Sequence, residues 1–160
     1  SHLKSIVLAA LHENHPYEAV AHEIVALENE HIDIGSGLIG ELANSMSETD
    51  FLSFLKKTMN TSCIRHTQLL DRKVKRVALC GGSGSFLLET AIRAKADVFI
   101  TGDFKYHQFF DADNQIVIAD IGHYESEQFT INLFYDLLRE KFGNFAVYLT
   151  KIDTNPINYL

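Results

Sequence analysis

The apolar positions change period along the chain, and each period predicts an element. Leu3, Ile6, Val7, Ala10 and Leu11 recur every three or four residues, as on one face of a helix. That helix should end by His15, because Pro16 disfavours α backbone in the residue before it. Residues 19–27, with Val20, Ile24 and Val25 as β formers, predict a strand. Residues 28–37 are polar and contain glycine, the composition of a linker. A strand over 38–42 then enters the main body of the chain. Ser47 followed by Glu48 and Asp50 is a good helix start, and Phe51, Leu52, Phe54, Leu55 and Met59 continue it. Residues 61–66 form a short polar strand suited to a sheet edge, 71–73 a turn, and 74–79 the next strand.

From Val74 onward the pattern becomes regular. Two runs, Val98-Phe99-Ile100 and Ile116-Val117-Ile118-Ala119, are apolar throughout and stop at Thr101-Gly102-Asp103 and Asp120-Ile121-Gly122-His123. Short β-branched runs with charge only at their ends are strands buried on both faces. Helical stretches separate them at 86–94, 104–110 and 123–142, and 145–149 predicts a last strand before an irregular tail from Asp153. Gly143-Asn144 stops the long helix. The order β-α-β-α-β-α-β predicts an α/β fold, a mostly parallel sheet flanked by helices. In such sheets ligands bind beyond the carboxyl ends of the strands. Asp103, Lys105, His107, Asp120, His123 and Glu127 are concentrated at those ends.

Composition changes this picture little. The 160 residues are 46% hydrophobic and 22% charged, ordinary for a globular chain of about one domain. With 14 basic against 21 acidic residues the net charge is −7, which argues against a broad basic face for nucleic acid. No apolar run approaches the roughly 18 residues of a membrane span, and no leader pattern opens the chain. The expectation is a cytoplasmic protein with no membrane partner. Cys63 and Cys80 fall in no metal or redox spacing and are expected to be two buried thiols, with a single bridge between them as the alternative.

The sharpest chemical signal is His123-x-x-x-Glu127. Positions 123, 127, 131, 134 and 138 form one helical stripe, which is expected to face the protein. Residues four apart share a face, close enough to flank a metal. A helix N-terminus disfavours an imidazolium, so His123 is expected in its neutral, ligating form. The plain alternative is a His and a Glu that cap the helix and pair with each other. Cys80-Gly81-Gly82-Ser83-Gly84-Ser85 follows a strand and could offer backbone N–H groups to an anion. Leu87 stands where a dinucleotide fingerprint needs its third glycine, and no Walker lysine follows. The loop is either an anion contact, through Gly82 and Ser83, or simply a tight turn. His12, His15, His22 and His31 lack convergent spacing for a metal.

The runs CGGSGSFLLETA, ADVFITGDFKYHQ and ADIGHYESE, in that order, resemble the Nif-three-like family, also catalogued as GTP cyclohydrolase I type 2 homologues. HPYEAVAHEIVALEN followed by GSGLIGEL is similar to the segment preceding this half in insert-bearing members. The resemblance runs from His15 to the DTNP of the tail. It implies that 1–33 belong to an incomplete ferredoxin-like insert and 34–160 to the C-terminal half of a two-half α/β fold. Opening on Ser1-His2 is what a piece of a longer protein would show. The family's two-metal site lies between its halves, and His123 and Glu127 match its C-terminal ligands. The other ligands, two histidines and an aspartate, belong to the half not present here. The metals implied are Zn, Mn, Fe or Co, held weakly or not at all by this chain alone. The resemblance also implies a homo-oligomer, a hexamer.

The leading expectation is therefore part of a metal-dependent, cyclohydrolase-like hydrolase. Its substrate would be a small molecule of nucleotide-like chemistry, contacted by Gly82, Ser83, Asp103, Lys105 and His107. The alternatives are a non-enzymatic metal-binding or regulatory assembly protein, and a nucleotide-binding module without metal.

Overall fold

The computed structural model describes residues 3–26, 28 and 34–160. The chain divides into two compact units, one ending at Ile34 and the other Gly35–Leu160. In the first unit, α1 (Lys4–Asn14) forms where the apolar stripe predicts it, and His15 turns to extended backbone ahead of Pro16. No residue of α1 is buried. The strand expected over 19–27 is not formed in residues 19–26, and Leu27 lies outside the described residues. A lone strand leaves its N–H and C=O groups unpaired, and the described part of this unit holds no second strand to pair with it. His31 also lies outside the described residues.

The second unit is a five-stranded mixed sheet in the order β1-β3-β4-β5-β2. Its centre is parallel: β3 (Lys73–Ser83), β4 (Val98–Gly102) and β5 (Val117–Asp120). Both edges are antiparallel. β1 (Leu38–Ser47) pairs with β3, and the two-residue β2 (Arg65–His66) pairs with β5. The sheet is thus parallel at its centre and antiparallel at both edges.

The buried side chains of the central strands divide between two cores. Ala78, Cys80, Phe99 and Ile118 point to one face and pack with Leu88 and Ala91 of α3 (Leu88–Arg93), Phe104 and Ile116. Val74, Val77, Val98, Val117 and Ala119 point to the other face and pack with Phe51 and Leu55 of α2 (Glu48–Thr58). Ser47 caps α2, its Oγ accepting from Asp50 N–H at 3.1 Å. Glu48, buried in the first turn, accepts from Leu70 and Asp71 N–H at 2.9 and 3.1 Å.

Two expectations fail toward the C-terminus. The helix predicted over 123–142 is two helices, α4 (His123–Glu127) and α5 (Thr130–Lys141). The stripe that should face the protein is exposed, with Ile131, Phe134, Leu138 and Phe142 all at least 39% accessible. Residues 145–149 form no strand; Phe145 and Tyr148 stand 76% and 87% exposed, so their alternation has no core to face. Among the described residues no helix is long and apolar enough to cross a membrane.

Candidate metal centre

The end of β4 and the start of α4 meet at a glycine. A Cβ on Gly102 would lie 2.9 Å from the backbone of Gly122 and His123, so only glycine lets the strand end come this close. One buried carboxylate ties the two loops together. Asp120, 3% exposed, accepts from Phe104 N–H at 2.9 Å and from Gly122 N–H at 3.0 Å. Arg65 pairs with the same carboxylate and also donates to Phe104 O at 2.9 Å. The residues on either side of this clamp, Asp103 and His123, are thereby held opposite each other.

Asp103 sits in the left-handed region at φ 59°, and its Oδ2 lies 2.6 Å from His123 Nδ1. The other ring nitrogen, Nε2, faces Glu127 Oε2 at 3.5 Å. His123 and Glu127 therefore share a face at the first turn of α4, as their spacing predicts. Both side chains are about half exposed, at 48% and 52%. The hydrogen bond that the ring donates to Asp103 raises the imidazole pKa above its ordinary value; the Asp103 and Glu127 charges add to this against partial burial. The two carboxylates thus flank the ring on opposite sides at the start of the five-residue α4.

Gly82 closes the third side. At φ 63° a Cβ there would sit 2.6 Å from Glu127 Oε1 and 3.3 Å from His123 Nε2. Glycine thus keeps open the space toward which both donors turn. His123 Nε2 and Glu127 Oε2, 3.5 Å apart, are a nitrogen and an oxygen donor of the kinds that would hold a divalent ion. His123 and Glu127 fit a divalent ion as part of a donor set. Among the described residues, however, no group of three or more His, Cys, Asp or Glu could hold a metal ion.

The glycine loop is less open to anions than its sequence promises. Gly82 N–H is taken by Ser126 Oγ at 2.7 Å and Gly84 N–H by Thr101 Oγ1 at 3.0 Å. Thr101 Oγ1 in turn donates to Gly82 O at 3.1 Å. Ser83 extends β3 and aligns with Gly102. Lys105 and His107 lie exposed at the start of the 3-10 turn Tyr106–Ala112. Sequence reasoning missed Ser126, which locks the loop onto α4 while donating to His123 O at 2.7 Å. Its position beside Glu127 was the available signal. Both cysteines are free; Cys63 is exposed, contrary to expectation, and Cys80 is buried. Burial and then the Glu127 charge push the Cys80 thiol pKa up.

His12 and His22 meet in the first unit with ring centroids 5.4 Å apart, and His15 Nδ1 accepts from Tyr17 N–H at 3.1 Å. These contacts make local turns.

Residues 4–156 match the sequence profile of Duf34/NIF3 (NGG1p interacting factor 3). The chain is 36% identical over 159 residues to a Staphylococcus epidermidis protein named GTP cyclohydrolase 1 type 2 homolog, covering 96% of this chain and 43% of that protein. It is 33% identical over 163 residues to a Bacillus subtilis protein of the same name, covering 99% and 43%. The chain thus spans less than half the length of these curated relatives. A Staphylococcus aureus crystal structure is similar with TM-score 0.77 and 29% identity, over 100% of this chain and 53% of that one. A Bacillus cereus protein described as related to NIF3 is similar with TM-score 0.73 and 30% identity, over 99% and 45%.

Proposed function

The chain belongs to the Duf34/NIF3 family, and from that premise we propose that it carries one wall of a divalent-metal site in a metal-dependent hydrolase. The observation that carries this reading is the pairing of His123 Nε2 and Glu127 Oε2 at 3.5 Å across the space that Gly82 leaves open. An imidazole and a carboxylate suit Zn, Mn, Fe or Co. Further ligands would come from parts of the protein outside this chain, as the family resemblance implies. A bound divalent ion supplies an activated water and polarises a substrate oxygen.

The chain's own residues would do the rest. His123 and Glu127 fix the position of that chemistry beside the strand ends. Gly82 borders it on the β3 side and Asp103 on the β4 side, while Ser83, Lys105 and His107 follow these two in sequence. Lys105 and His107, exposed on the turn after β4, are placed in sequence to meet an anionic substrate, which favours a phosphate-bearing small molecule such as a nucleotide. Relatives named GTP cyclohydrolase 1 type 2 homolog agree with that class.

The test uses the full-length protein that carries this chain. Metal content measured by mass spectrometry, with turnover of GTP and other purine nucleotides, should show bound divalent ions and turnover that stops on chelation. Bound metal without turnover of any phosphoester or nucleotide would support a non-enzymatic assembly role instead. Absence of metal would leave the site a simple helix cap.

A further inference from the structure

We propose that Asp103 is the positioning residue of this centre: by accepting the Nδ1 proton of His123 it fixes the imidazole ring and leaves Nε2 bare toward the ion. The inference rests on the metal reading above and assigns a role within it. It starts from the 2.6 Å contact between Asp103 Oδ2 and His123 Nδ1. The two nitrogens of an imidazole are distinct, and the hydrogen bond made by one decides which tautomer the other presents. A carboxylate on Nδ1 selects the tautomer whose Nε2 lone pair is free. It also makes that nitrogen a better donor to a metal.

The backbone around Asp103 is built to hold this contact. Asp103 occupies the left-handed region at φ 59°, which aspartate adopts more readily than most L residues. The next residue, Phe104, is 2% exposed and is pinned at both its N–H and its C=O, by Asp120 and Arg65. On the other side, Gly102 abuts the backbone of Gly122 and His123. Asp103 is thus the one residue between two fixed points, and its carboxylate is turned onto the ring.

The second half of the arrangement is Glu127. It stands on Nε2, the opposite side of the ring, at 3.5 Å. That distance is too long for a strong hydrogen bond and suits two ligands of one ion. Asp103 Oδ2 at 2.6 Å and Glu127 Oε2 at 3.5 Å therefore approach the two ring nitrogens from opposite sides, the first in much closer contact than the second.

The test compares the 160-residue chain with Asp103→Gly and Asp103→Asn. Glycine removes the carboxylate without straining the left-handed backbone, and asparagine keeps an acceptor oxygen there. Long-range proton–nitrogen spectra of the metal-free chain, recorded at alkaline pH, report which nitrogen of His123 carries the proton. The expected result is an Nδ1-bound proton in the wild type and in Asp103→Asn, and a shift of population to Nε2 in Asp103→Gly. Zinc and manganese titrations of the full-length protein that carries this chain should show Asp103→Gly about 10–100-fold weaker, with Asp103→Asn in between. A wild-type His123 protonated on Nε2, or a tautomer unchanged in Asp103→Gly, overturns the proposal. Metal affinity that does not depend on His123 at all would overturn the metal reading instead, while the spectra still judge Asp103.

Discussion

At the scale of single residues, the centre is an imidazole between two carboxylates, and this sets its response to pH. The pKa of His123 is raised above an unfolded value near 6.5, first by the Asp103 hydrogen bond. The imidazolium therefore stabilises the fold fully below about pH 6.5, and this contribution is lost as pH rises through the raised value. Denaturation at a series of pH values should show stability declining over that window, with a flatter profile in His123→Ala. An identical profile in the variant would show that the ring does not engage Asp103. The same proton competes with metal, so affinity should weaken as pH falls.

Gly82 offers a second test at this scale. Gly82→Ala forces a side chain into φ 63° and sets a Cβ 2.6 Å from Glu127 Oε1. The backbone strain should cost about 1–2 kcal/mol in stability. The flexible carboxylate can swing away, so the larger loss should appear in metal affinity. Stability and metal affinity both unchanged would contradict the view that this glycine holds the space open. His123 and Glu127 were legible from their spacing of four. Asp103 was visible as a polar residue at a strand end, but its partner was not. That contact depends on a left-handed backbone and on a neighbour twenty positions away, which no local pattern encodes.

At the scale of elements, the strands were the most legible part, since uninterrupted apolar runs have few other fates. β4 and β5 appear almost where the runs lie, and every residue of β5 is buried. The helix over 123–142 was misjudged because its stripe is continuous in sequence, whereas the chain breaks between Glu127 and Thr130. Gln128, within that break, donates to Met59 O at 2.7 Å and so binds the end of α4 to the end of α2. The cap of α2 was read correctly from Ser47, Glu48 and Asp50. Ser47→Ala removes the acceptor for Asp50 N–H and should destabilise the second unit by about 1 kcal/mol, measured by urea denaturation. No loss would mean that the acidic first turn alone suffices.

At the scale of the whole molecule, the parallel centre of the sheet brings the ends of β3, β4 and β5 to one side, and α4 starts there. Two packed faces make that platform rigid enough to present donors at fixed distances. What the sequence could not reveal is which apolar stripes have a partner: α5 has the pattern of a packed helix and buries none of its residues here. The same limit applies to the site, since the chain spans 43% of its relatives and presents two donors together. A zinc ion normally keeps at least three protein ligands, so this chain alone should bind metal weakly. Calorimetric titration of zinc into the 160-residue chain and into His123→Ala measures this directly. The expected result is weak binding in the wild type and a component missing from the variant. Superimposable isotherms, or tight stoichiometric binding by the wild type, would contradict the assignment of His123 and Glu127 as one wall of a larger centre.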